Sequence, residues 1–125
     1  MKSITFALII FSFIVACNTS EYDYSEIRPL GASKIENIHI TNNQVTVTVL
    51  YVTPTPCWYY YRTESTNNNF VFTSKVFGKD DGEPCIQVLW SFTHDEKIIF
   101  SSGGEKTLRL WQSDSAYLDT TITLP

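Results

Sequence analysis

Residues 44–51 carry the clearest pattern in the chain. Val45, Val47, Val49 and Tyr51 occupy alternate positions, with Thr46 and Thr48 between them. Successive side chains of a strand point to opposite faces, so strict alternation with β-branched residues predicts a half-buried strand. Similar short segments recur at 35–40, 58–63, 70–77, 86–93, 97–100, 106–111 and 117–124. Turn-forming clusters punctuate them: Thr41-Asn42-Asn43, Asn67-Asn68-Asn69, Gly78 to Pro84, His94-Asp95-Glu96 and Ser101-Ser102-Gly103-Gly104. No segment repeats apolar residues at helical spacing over a useful length. Eight short strands separated by turn residues predict an all-β domain, built as an antiparallel sandwich or barrel.

The first sixteen residues follow a different pattern. Lys2 precedes a continuous apolar run that ends in Ile14-Val15-Ala16, and Cys17 follows. The run is shorter than the roughly 20 apolar residues a membrane-spanning helix needs. A charged start, a short apolar core and a small residue at the cut predict a secretory leader. Ile14-Val15-Ala16-Cys17 resembles the lipobox of bacterial lipoproteins. The resemblance implies cleavage before Cys17, a lipidated Cys17 thiol, and a membrane anchor of more than one acyl chain, which holds stably where a single chain does not. In that family an Asp after the lipidated cysteine often marks inner-membrane retention. Asn18 stands there instead, which implies the outer membrane. The expected division is a leader over 1–16, a polar lipidated tether over 17–33 and a β-sandwich over 34–125. Within the tether, the acidic stretch from Ser20 to Glu26 resembles a surface-export signal only loosely and reads more readily as a solvated spacer.

Charge narrows the partners. Of nine Lys and Arg, Lys2 leaves with the leader, so eight face thirteen Asp and Glu in the remainder. A chain this acidic, without a basic cluster, is not expected to bind nucleic acid. It would also be repelled by anionic headgroups, so membrane attachment falls to the lipid anchor.

With Cys17 assigned to lipid, Cys57 and Cys85 remain, in a chain expected to face an oxidising compartment. They predict a disulfide, because a zinc site would need further cysteine or histidine ligands. Each cysteine follows a proline and stands at the start of a predicted strand. A bridge between two strands resembles the staple of the immunoglobulin-like sandwich, and that form is expected here. Two departures stand. Trp58 is adjacent to Cys57 rather than at a distance, and Ile86, Val88, Trp90 and Phe92 are out of phase with Cys85. Either Cys85 lies in the preceding loop or a bulge resets the phase.

Residues that could carry chemistry are few. His39 and His94 are the only histidines, and no Gly-x-Ser-x-Gly elbow accompanies them. Asp80-Asp81-Gly82-Glu83 lacks the ligand spacing of a calcium loop and reads as a solvated turn. Asp114-Ser115-Ala116 and Asp119-Thr120-Thr121 resemble a bacterial O-glycosylation acceptor at Ser115 and Thr120. No catalytic residue, metal or cofactor is expected, and the chain is not read as an enzyme. The aromatics matter more. In Trp58-Tyr59-Tyr60-Tyr61 alternate rings point to opposite faces, and only one face of a sandwich strand is core. If Cys57 points inward, Trp58 and Tyr60 face out and offer flat area with a polar tip to an envelope protein or glycan. The expected function is a lipid-anchored cell-envelope binding or structural module. The alternative is an inhibitor or immunity-type protein inserting the loop Thr53, Pro54, Thr55, Pro56, which the prolines and the adjacent Cys57 would stiffen.

Overall fold

A computed structural model describes residues 24–125. The lipobox, Cys17 and the start of the tether lie outside them. The described chain holds eight strands: β1 Glu26–Leu30, β2 Ala32–Thr41, β3 Gln44–Thr53, β4 Tyr59–Asn67, β5 Val71–Asp80, β6 Trp90–Ile99, β7 Gly104–Ser113 and β8 Ala116–Leu124. They form two sheets. β2, β3 and β6 make one, in that order. In the other, β4 lies on one side of β5, and β1 and β7 share its opposite side, with β8 beyond β7.

The strand pattern follows from the alternation. Val45, Val47, Val49 and Tyr51 of β3 are buried, as predicted, and face Phe72 and Val76 of β5, Leu108 and Leu110 of β7, and Ile122 and Leu124 of β8 across the core. β2 has a less regular apolar spacing, and its backbone corrects for it. A bulge between Ile35 and Asn37 takes up one residue, so Ile35, Ile38 and Ile40 all pair with the inward valines of β3. Asn42 turns this hairpin with φ 55°, a region asparagine tolerates better than most residues.

Four expectations are corrected. The domain begins earlier than residue 34: residues 26–30, assigned to the tether, form β1 and pair with β5. At Gly31 the chain crosses from one sheet to the other so close to β7 that a Cβ would stand 2.5 Å from the Gln112 carbonyl oxygen. Sheet pairing is not purely antiparallel, because Val71–Ser74 of β5 runs parallel to Thr107–Leu110 of β7. Residues 86–89 are loop rather than strand, and 94–96 are strand rather than turn, so two predicted strands become the single β6. Inward polar residues hid this continuity. β6 is an edge strand, and its core side presents His94 and Glu96 before Ile98.

Cys57 and Cys85 are bonded, with Cα atoms 6.1 Å apart. They do not staple the two sheets through the core. Cys57 sits in the turn before β4 and Cys85 in the loop before β6, so the bridge pins two loops at one end of the sandwich. Of the two explanations left open for the phase of Cys85, the loop position is the one observed.

Candidate functional site

The residues singled out around Cys57 divide sharply. Thr53 and Thr55 are buried. Thr53 Oγ1 donates to the Thr55 carbonyl at 2.8 Å, and the Cys57 amide donates to Thr55 Oγ1 at 3.3 Å. The turn therefore folds in on itself, leaving Pro54 exposed and Pro56 half-buried. Trp58 is 5% exposed and belongs to the core, against expectation, with the Arg28 guanidinium 4.7 Å from its ring centroid. Alternation was read correctly but its phase was inverted. Cys57 turns toward Cys85 rather than inward, so the inward position passes to Trp58.

Tyr59, Tyr60 and Tyr61 are all exposed, between 37% and 44%. Tyr60 pairs with the inward Gly78, and a bulge then inserts Tyr61 before Arg62. Tyr59 and Tyr61 consequently both project from the outer face, while Tyr60 leans over the open flank between β4 and β6.

That flank is closed by side chains. The Tyr60 and His94 rings stack at 3.9 Å between centroids with 12° between planes. His94 Nε2 lies 3.5 Å from Glu96 Oε1. Thr63 Oγ1 donates to the same Glu96 oxygen at 3.2 Å and sits 2.7 Å from the Tyr60 hydroxyl. Beneath them burial, then the Glu96 charge, then Tyr60 push the Tyr51 phenol well above its ordinary value. No backbone ladder joins β4 to β6. This clasp, with Asn67 Nδ2 donating to the Ile99 carbonyl at 3.1 Å, ties the two edges together.

The outer face of the five-stranded sheet offers the larger surface. Tyr59 and Tyr61 from β4, Phe77 from β5, Trp111 from β7 and Tyr117 from β8 come to one side of it. Cations lie on the rings: Lys79 Nζ 5.4 Å from Tyr61, Arg62 Cζ 4.0 Å from Phe77, Lys75 Nζ 4.9 Å from Trp111 and Arg109 Cζ 4.4 Å from Tyr117. Such contacts hold planar rings flat and keep long cationic stems extended over them. Three of the cations also meet carboxylates: Arg62 with Glu64 at 2.6 Å, Arg109 with Asp119 at 3.2 Å and Lys79 with Asp81 at 3.8 Å. Asp81 Oδ1 further accepts the Tyr59 hydroxyl at 2.9 Å, and that hydrogen bond is the main reason the Tyr59 phenol is raised. A groove of about 180 Å³, bordered by Glu64, Thr66, Thr73, Lys75 and Tyr117, runs across the face. At about 4.8 Å per strand, four strands give the surface a width of roughly 14 Å.

Sequence reasoning located the tyrosines of β4 and missed Phe77, Trp111 and Tyr117. A signal existed for one of them: Trp111 is out of phase with Leu108 and Leu110 and so stands on the polar side of its strand. The other candidates scatter. His39 is an exposed strand residue bonded to Thr41, Ser115 lies exposed in the β7–β8 turn, and Thr120 is half-buried on the inward side of β8. Asp80 Oδ1 accepts from the Gly82 amide at 2.9 Å, shaping its turn. Among the described residues, no group of three or more His, Cys, Asp and Glu side chains is placed to hold a metal. Comparison with protein-family models, with curated proteins and with solved structures finds no match.

Proposed function

We propose that this protein is a lipid-anchored binding module of the bacterial cell envelope, held at the outer membrane through Cys17, and that it engages an envelope protein or glycan through the outer face of its five-stranded sheet. The observation that carries the reading is the convergence of five aromatic rings from four strands onto that face, exposed at Tyr59, Tyr61 and Tyr117 and half-buried at Phe77 and Trp111, with a cation against every one but Tyr59. Flat rings with polar tips and guanidinium groups are the side chains that dominate binding surfaces. The sandwich supplies a rigid platform, so little entropy is lost when the face is covered.

The immunoglobulin-like form is part of this proposal. Three strands packed on five around one core support it, and the parallel β5–β7 pair departs from the antiparallel sheets of that fold. The inhibitor-like alternative needs a protruding loop at 53–57. It gains nothing from a turn whose two threonines are buried.

The test is retention of partners from detergent-solubilised envelopes by the full-length protein and by Tyr61→Ala combined with Tyr117→Ala. Both rings lie largely outside the core, so the fold should persist. A species held by the wild type and lost about tenfold or more by the variant, as removal of hot-spot aromatics gives, supports the reading. Equal retention by both removes the aromatic face from the function.

A further inference from the structure

β5 leaves the sandwich at Asp80 and the chain returns as β6 at Trp90. The second half of the connection, Ile86-Gln87-Val88-Leu89, carries no charge, yet it is open to solvent, with Leu89 74% and Ile86 68% exposed. With Val52 of β3, Leu89 and Trp90 line an open cleft of about 330 Å³. The loop backbone is held rather than loose. Cys85 is bonded to Cys57, Gln87 Nε2 donates to the Cys85 carbonyl at 3.3 Å, and the Val88 amide donates to the Ile86 carbonyl at 3.1 Å. Apolar side chains offered on an anchored backbone mark an interaction surface.

What covers it is indicated by where the chain enters the domain. Tyr24 packs against this same loop: a Cβ on Gly82 would stand 2.5 Å from Tyr24 Cβ. β1 starts beside it, with Glu26 opposite Asp80. Seven peptide steps separate Cys17 from Tyr24. At no more than about 3.6 Å each, they span at most about 25 Å. A ten-residue strand such as β3 is about 33 Å long. A tether attached at the loop end is therefore too short to let the opposite end of the sandwich face the lipid. We infer that the 86–90 loop is a second membrane contact, seated in the lipid interface beneath the domain; the inference rests on the Cys17 anchor of the proposed function. Aliphatic side chains enter the edge of the acyl region, and an indole suits the headgroup level. The carboxylates of Asp80, Asp81 and Glu83 border the loop, so the matching surface is zwitterionic rather than anionic.

The test uses the full-length chain acylated at Cys17, in phosphatidylcholine vesicles with and without brominated acyl chains that quench indoles on contact. Acylation is read separately, by uptake of a fatty-acid analogue. We expect the acylated protein to lose fluorescence on brominated lipid, and expect that loss to vanish in Trp90→Phe and to shrink in Leu89→Glu. Both side chains are largely exposed, so both variants should fold. Acylated protein without Trp90-dependent quenching overturns the loop contact and leaves the anchor standing. Protein that takes up no fatty acid overturns the anchor and the loop contact with it. Trp90 shielded in a concentration-dependent dimer, and unquenched by lipid, assigns the loop to a second copy of the chain and also overturns the inference.

Discussion

Breaking the Cys57–Cys85 bridge should be the most damaging change that leaves the core side chains in place. The bridge closes a loop of 28 positions in sequence. In the chain-entropy treatment, such a closure removes about 12 cal/mol/K from the unfolded ensemble, or about 3.6 kcal/mol at 25 °C. For a domain of this size each kcal/mol moves the melting point by roughly 4 °C or more, so a fall of roughly 15 °C is expected. Cys57→Ala combined with Cys85→Ala measures it, by urea unfolding followed through fluorescence and circular dichroism. The slope against urea should steepen, because an uncrosslinked chain exposes more surface on unfolding. Replacement of both cysteines by Ser should cost the same, since the effect lies in the constraint and not in the side chains. A loss below about 1 kcal/mol with an unchanged slope would refute the reasoning. It would mean that the paired loops, already tied by the Thr53–Thr55 bonds and by Tyr24 against Gly82, are ordered without the bond.

Two further outcomes follow from burial. Trp58→Ala should cost about 3–5 kcal/mol, as removal of a buried aromatic does, while Tyr61→Ala costs less than about 1 kcal/mol; urea unfolding of both variants compares them, and equal losses would put Trp58 outside the core. Burial raises the Tyr51 phenol first, with Glu96 and Tyr60 adding to it, so the folded state holds that proton after the unfolded chain has released it. The stability this supplies is complete below the ordinary phenol value of about 10 and drains away as the pH climbs above it, since the unfolded chain then binds fewer protons. Stability measured from neutral to strongly alkaline pH should fall more gently in Tyr51→Phe than in the wild type, and parallel curves would refute the assignment.

The alternation of β3 and the apolar positions of β5, β7 and β8 were legible because a half-buried strand writes its two faces into successive residues. The disulfide was legible because two cysteines remained after Cys17 was set aside. β6 was misjudged because Thr93-His94-Asp95-Glu96-Lys97 has no apolar member to carry the period. Its inward polar side chains, His94 and Glu96, pair with each other and with Tyr60 and Thr63 across the flank, on β4. Trp58 was misplaced because one assumed direction, that of Cys57, set the phase of every ring after it.

The sequence by itself determined most of the segments that extend, which face of most strands is apolar, and that Cys57 and Cys85 pair. These are local properties: a period of two, a turn residue, a count of thiols. Only the tertiary structure decided that β5 lies parallel to β7, that Tyr60 meets His94 and Glu96, and that Tyr61, Phe77, Trp111 and Tyr117 share one face. Positions far apart in the chain become neighbours through strand order and register, which arise when the whole core packs. A one-residue bulge, such as the one beside Tyr61, is enough to move a side chain from one face to the other.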